Sequence, residues 1–168
     1  MNTNNSQSGS EVAVFAAGCF WGVELEFGAI PGVLATRVGY TGGQTNSPSY
    51  HEVCDGDTGH AEAVWIEFDP SQVSYEHLVR EFFNLHDPTT LNRQGPDVGE
   101  QYRSAIFYQS PEQKEVAEKV VAELKASGEF DRPIVTQIVP KAQFWDAEEY
   151  HQKYLEKRGM ASCHIRRK

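Results

Sequence analysis

Val12-Ala13-Val14-Phe15-Ala16-Ala17-Gly18-Cys19-Phe20-Trp21-Gly22-Val23 is the stretch on which the fold turns. Its first half is an unbroken apolar run, residues 12–17, with the length of one strand. Beyond Gly18 the spacing changes. Phe20, Val23, Phe27 and Ile30 recur at helical intervals, which predicts a helix over about residues 20–29. Cys19 falls between the two, at a strand-to-helix turn. The unpaired N–H groups of a helix start and the macrodipole favour negative charge there. A thiolate is the nucleophilic form of cysteine, and such a position lowers a thiol pKa. Phe20 and Trp21 follow at once, so a reactive sulfur would sit beside an apolar wall and meet a small, mostly apolar group.

Working outward, the pattern predicts strands at about 32–40, 62–68, 105–108 and 135–139. Helices are expected at about 74–85, 111–126 and 147–155. Ser110 and Pro111 open the helix over 111–126, Gln113 stands at its third position, and Ser127-Gly128 close it. Val116, Val120 and Leu124 mark its buried stripe. Two connections, 41–59 and 87–103, exceed the ~12–15 residues above which loops are often functional. Strands mixed with helices in this order predict an α/β sandwich, with helices on one or both faces of a mixed sheet.

The chain has 168 residues and 39% hydrophobic content, enough for one domain with a real core. The predicted division is a disordered tail over 1–10, a catalytic domain over 11–155 and a C-terminal segment over 156–168. No apolar run approaches the ~18–20 residues that span a bilayer, so no membrane association and a cytoplasmic location are expected. A net charge of −9 argues against generic nucleic-acid binding. Five of the fifteen basic residues lie in the last twelve positions, around Cys163. Three cysteines, Cys19, Cys54 and Cys163, are an odd number at wide spacing. That fits intracellular thiol chemistry better than a secreted disulfide framework. Nothing in the sequence points to an obligate interface, so a monomer is expected.

Within Ala61-Glu62-Ala63-Val64-Trp65-Ile66-Glu67-Phe68, side chains alternate faces, and Glu62 shares one with Val64, Ile66 and Phe68. A carboxyl there is poorly solvated, stays protonated near neutral pH and can serve as a general acid. A strand-end carboxylate bending out to water is the plainer alternative. Tyr50 and Tyr102 offer uncharged hydroxyl donors from the two long loops, although a loop tyrosine is more often packing. By default Asp97 caps or turns its loop and Arg103 is a surface or salt-bridge residue. His51, Cys54 and His60 lack the paired spacing of a zinc site. Cys54 reads better as a small buried residue. Cys163, among small residues and positive charges, could reach a distant partner as a thiolate, or be an incidental C-terminal cysteine.

Taken together, these residues resemble one family. Gly18-Cys19-Phe20-Trp21-Gly22 is similar to the signature of the A-type peptide methionine sulfoxide reductases, which act on the S epimer at sulfur. Gly39-Tyr40-Thr41-Gly42-Gly43, Pro48-Ser49-Tyr50, Thr58-Gly59-His60-Ala61-Glu62-Ala63-Val64, His86-Asp87-Pro88 and Gln101-Tyr102-Arg103-Ser104 resemble the family in order and spacing. The resemblance covers about residues 12–165. It implies a two-layer α/β sandwich with a ferredoxin-like core, a mixed sheet, long loops and a mobile C-terminal tail.

It implies Cys19 as the nucleophile on the sulfoxide sulfur, Phe20 and Trp21 as walls for the methyl group, and Glu62 as proton donor to the oxygen. Tyr50 and Tyr102 would bind that oxygen, and Asp97 would lie near the substrate. Cys163 would resolve the Cys19 sulfenic acid to a Cys19–Cys163 disulfide that thioredoxin reduces. His151, in Glu149-Tyr150-His151-Gln152-Lys153-Tyr154, matches the family pattern in a structural role. Substrates would be oxidised proteins and free methionine sulfoxide, and no metal, flavin or nucleotide is required. Two other readings use the same residues: a thiol peroxidase or redox sensor, which would have no methyl group for Phe20 and Trp21 to shelter, and a methionine-binding module without turnover.

Overall fold

The computed structural model describes residues 9–157. Strand β1 (Glu11–Ala17) leads through Gly18 into helix α1 (Phe20–Gly28), then β2 (Val33–Thr41), a short helix α2 (Tyr50–Cys54) and β3 (Ala61–Phe68). Helix α3 (Tyr75–Asn84) follows, then a two-stranded ribbon of β4 (Arg93–Gln94) and β5 (Asp97–Val98). Strand β6 (Ser104–Tyr108), helix α4 (Pro111–Ser127), β7 (Gln137–Pro140), β8 (Phe144–Asp146) and α5 (Tyr154–Lys157) complete the order.

The main sheet runs β7-β6-β1-β3-β2-β8. Strands β6 and β7 are parallel, and the other neighbours are antiparallel. Its centre, β6-β1-β3-β2, is joined by α1 and α3 as two split βαβ units, the ferredoxin-like arrangement. The mixed sheet and the α/β layering expected from the sequence are both present.

The unbroken apolar run of β1 has a physical cause, because both faces of the sheet are covered. Ala13, Phe15 and Ala17 face the helices with Val38, Val64, Ile66 and Phe68, against Val23 and Phe27 of α1 and Leu78 and Phe82 of α3. Phe15 stacks on Phe27 and Phe82 with ring centroids 5.2 and 5.1 Å apart. Burial of each such ring contributes about 1.5–3 kcal/mol. Val14 and Ala16 face the other way, into a small-residue cluster with Ala61, Ala63, Ala105 and Phe107.

Helix α4 starts and stops as read. The Ser110 hydroxyl accepts the Gln113 N–H at 3.3 Å, and Gly128 closes the helix with φ +71°. Ala117 and Val120 are its buried apolar residues, while Val116 and Leu124 are half-buried.

Three expectations change. The loop over 41–59 contains α2, opened by a capping box in which Ser49 and Glu52 exchange hydrogen bonds. The loop over 87–103 contains the β4–β5 ribbon and a 3₁₀ turn, Glu100–Tyr102. The helix expected over 147–155 is not one helix. A 3₁₀ turn, Glu149–His151, and the short α5 are separated by Lys153 at φ +54°. Side chains there bond outward: Gln152 clasps the Val38 backbone, accepting its N–H at 2.9 Å and donating to its carbonyl at 3.0 Å. Among the described residues, no helix is long and apolar enough to cross a membrane. Cys163 and most of the N-terminal tail lie outside the described residues.

Candidate active site

Gly18, at φ +99°, makes the tight turn that ends β1. A side chain at that φ would be strained. Cys19 then stands as the N-cap of α1, half-buried, and its side chain makes no capping hydrogen bond. Phe20 turns inward and is 1% exposed, while Trp21 remains half-buried at the rim.

Glu62 lies on β3, opposite Tyr40 of β2, and is 1% exposed. Its Oε1 accepts the Phe20 backbone N–H at 3.1 Å. Its Oε2 is buried and has no hydrogen-bond partner among the described residues. Burial pushes the carboxyl up to about 8; the Phe20 N–H pulls it down, and the Asp97 charge adds to the rise. The group is therefore protonated at neutral pH, and its proton has room on Oε2.

Tyr50 opens α2, and Tyr102 ends the 3₁₀ turn after the ribbon. Burial raises both hydroxyl pKa values well above the ordinary range, so both remain donors. Tyr102 lies within electrostatic range of Glu62, Cys54, Asp97 and Cys19. The fold thus brings Cys19, Glu62, Tyr102 and Asp97 together from β1–α1, β3 and the ribbon loop. Tyr50 joins them through its ring, 6.4 Å from Phe20, and through its hydroxyl on the Cys54 thiol.

Cys54 corrects an expectation. It is half-buried rather than sealed in the core, and its thiol meets both the Tyr50 and Tyr102 hydroxyls. Its pKa is raised, chiefly by burial. Arg103 is not a plain surface residue either. It is half-buried and donates to the Glu100 carbonyl at 3.0 Å and to Gln137 at 3.2 Å. His60 is buried on backbone partners, the Gly43 N–H at 3.0 Å and the Thr45 carbonyl at 2.7 Å.

A supporting network lies behind Trp21. The indole Nε1–H donates to His151 Nδ1 at 3.0 Å, and the indole stacks on Tyr154 at 3.9 Å. An acceptor at Nδ1 puts the His151 proton on Nε2. Burial lowers the His151 pKa, which keeps the ring neutral. The His151 ring lies 4.4 Å from that of Tyr50. Glu148 accepts the Tyr40 hydroxyl on Oε1 and the Tyr50 N–H on Oε2, each at 2.9 Å. Burial pushes the Glu148 carboxyl up, but these hydrogen bonds hold it below the usual range. Sequence reading gave no part to Tyr40, Glu148 or Tyr154. The one available signal was the alternation that puts Tyr40 on the helix-facing side of β2.

A thiol, a protonated carboxyl and two hydroxyls thus converge beside an aromatic wall. That set can protonate an oxygen while sulfur attacks its neighbour.

Comparison with known proteins agrees with this chemistry. A family model described as peptide methionine sulfoxide reductase matches residues 11–168. The peptide methionine sulfoxide reductase MsrA of Acidobacterium capsulatum is 59% identical over 153 residues, covering 91% of this chain and 98% of its own. Mxr1 from Saccharomyces cerevisiae in reduced form is similar in structure, with a TM-score of 0.89 at 36% identity, covering 98% of this chain and 96% of its own. Mxr1 in complex with Trx2 superposes with a TM-score of 0.67 at 24% identity, covering 99% and 96%, a likeness of fold. With the family model spanning nearly the whole chain and Cys19, Glu62, Phe20 and Trp21 gathered at one site, the chain belongs to the peptide methionine sulfoxide reductases, thiol oxidoreductases of methionine sulfoxide.

Proposed function

We propose that Cys19 reduces the S epimer of methionine sulfoxide, protein-bound or free, with Glu62 as proton donor. The observation that carries this reading is the Oε2 of a protonated Glu62, unpartnered among the described residues, whose Oε1 is tied to the helix that Cys19 caps. The methyl group lies against Trp21 above the buried Phe20. The sulfoxide oxygen accepts from the Tyr50 and Tyr102 hydroxyls and from Glu62, and Asp97 faces the substrate backbone.

The Cys19 thiolate attacks the sulfoxide sulfur while Glu62 protonates the oxygen, which is otherwise a poor leaving group. Methionine departs and the oxygen ends on Cys19 as a sulfenic acid. The Cys163 thiol displaces it as water and forms a Cys19–Cys163 disulfide, which thioredoxin reduces by thiol–disulfide exchange. One yeast neighbour solved with Trx2 on the same fold supports that choice of reductant. The protein works in the cytoplasm, as its odd number of widely spaced cysteines suggests, and as a monomer. Residues 156–168 serve as the arm that carries Cys163.

The test is a thiol count before and after addition of an S-sulfoxide methionine peptide without reductant. Loss of two thiols, with a Cys19–Cys163 link in the peptide map, is expected. Loss of one removes Cys163 from the mechanism. No loss from folded, reduced protein overturns the reductase reading and leaves a methionine-binding module.

A further inference from the structure

Glu24 is a second buried acid, and the chemistry above does not use it. It lies on α1, one turn beyond Trp21, and is 3% exposed. Unlike Glu62, it is fully engaged. Oε1 accepts the Lys153 backbone N–H at 2.7 Å, and Oε2 accepts the Thr36 hydroxyl at 2.8 Å. The Lys153 ammonium lies 3.5 Å from Oε2 and bonds the Thr36 carbonyl and hydroxyl at 3.2 Å each. Three donors thus face this one buried acid, as a buried polar group requires.

The backbone held in this way is unusual. Lys153 has φ +54°, a conformation in which glycine or asparagine is more at home. The adjoining Gln152 side chain grips Val38 on β2. Two consecutive residues are therefore pinned to different elements, Gln152 to the sheet edge and Lys153 to α1. The chain can leave this turn in one direction only, into α5. Six Cα–Cα steps separate Lys157, the last described residue, from Cys163, a covalent reach of at most about 22 Å. With so short an arm, the point of departure decides whether its sulfur meets Cys19.

We propose that Glu24 is a positioning residue for disulfide formation: through the Lys153 N–H it holds the turn from which the Cys163 arm departs, in register with the helix that Cys19 caps. This rests on the reading of Cys163 as the resolving thiol. In the step concerned, the Cys163 sulfur attacks the Cys19 sulfenic sulfur. The S–S bond forms, the S–O bond breaks, and the sulfenic hydroxyl leaves as water with the thiol proton. Cys19 is reduced and Cys163 oxidised. Sulfoxide reduction itself needs no arm, so the two steps separate.

The experiment is rapid-quench kinetics at saturating sulfoxide peptide without reductant, following methionine released and thiols lost. In Glu24→Ala the burst of one methionine per protein should stay within about twofold of wild type, while loss of the second thiol slows at least tenfold. Lys153→Gly keeps the turn and its N–H and should resolve at close to the wild-type rate. Lys153→Pro removes the N–H, imposes φ near −65° and should resolve as slowly as Glu24→Ala. If Glu24→Ala does not fold, the Lys153 pair decides alone. Wild-type resolution in Glu24→Ala or Lys153→Pro, or equal slowing of burst and resolution, overturns the proposal. If the unsubstituted protein forms no Cys19–Cys163 link, the reading of Cys163 fails first, and the proposal fails with it.

Discussion

Glu62 and Phe20 are joined by a single hydrogen bond, from the Phe20 backbone N–H to Glu62 Oε1 at 3.1 Å, while Glu62 Oε2 has no partner among the described residues. That asymmetry orients the acid. One oxygen is fixed on the helix that Cys19 caps, and the other presents its proton to whatever enters the site.

Glu62→Gln keeps an acceptor for Phe20 and removes the acid. Methionine formation in a single turnover should fall by about 10²–10⁴-fold, the usual worth of general acid catalysis, with little change in melting temperature. In wild type the rate should fall as pH rises through about 8, where the carboxyl ionises. That limb should vanish in Glu62→Gln. Because the folded-state pKa is raised, native protein holds a proton that the unfolded chain releases above about 4.5. Stability from this group is therefore present at low pH and declines between about 4.5 and 8, which urea titrations across that range would read.

Protonation of His151 would set an N–H against the Trp21 indole N–H. Its pKa is lowered by burial, so the neutral ring contributes stability above its ordinary pKa of 6.5, lost as pH falls through the depressed value. We expect KM for the sulfoxide peptide to rise on acidification below the ordinary histidine range, as Trp21 loses its acceptor. In His151→Ala, KM should be raised about tenfold at neutral pH and no longer change on acidification. Steady-state kinetics from pH 5 to 8 provide the check.

Tyr50→Phe and Tyr102→Phe each remove one neutral donor that the proposed mechanism places on the sulfoxide oxygen. Each should lower kcat and kcat/KM together by about tenfold, as expected for a bond that strengthens in the transition state. The double variant should lose less than the product of the two, because both hydroxyls serve one oxygen and both contact Cys54. Single-turnover rates of the three variants measure that coupling.

Gly39 pairs with Asp146, and a Cβ there would run into the Trp145 carbonyl and the Phe144 ring. Gly39→Ala should cost about 1–3 kcal/mol by overpacking. It should also reduce activity, since it forces β8, and Glu148 beyond it, away from β2. Urea denaturation and activity should both register the change. Ser110→Ala, which removes the α4 cap far from the site, should cost about 1 kcal/mol and leave activity unchanged.

Residues 12–23 determined their own local structure, because strand length, helical spacing and a left-handed glycine turn are written in neighbouring side chains. The same holds for α4, whose cap, proline and glycine stop are local signals. The capping box of α2 was legible too, in Ser49-Tyr50-His51-Glu52, but the length of the surrounding loop hid it. Tertiary structure decided the rest. Alternation placed Glu62 on the apolar face, yet its 1% exposure and its tie to Phe20 required α1 to lie over β3. His151 reaches Trp21 across 130 residues of chain, and Tyr102 meets Cys54 from the other long loop. No local pattern encodes such meetings. They arise from the strand order, which brings the start of α1, the middle of the chain and residues 148–154 to one place. The chemistry of a buried group depends on what covers it, and the covering segments are distant in sequence.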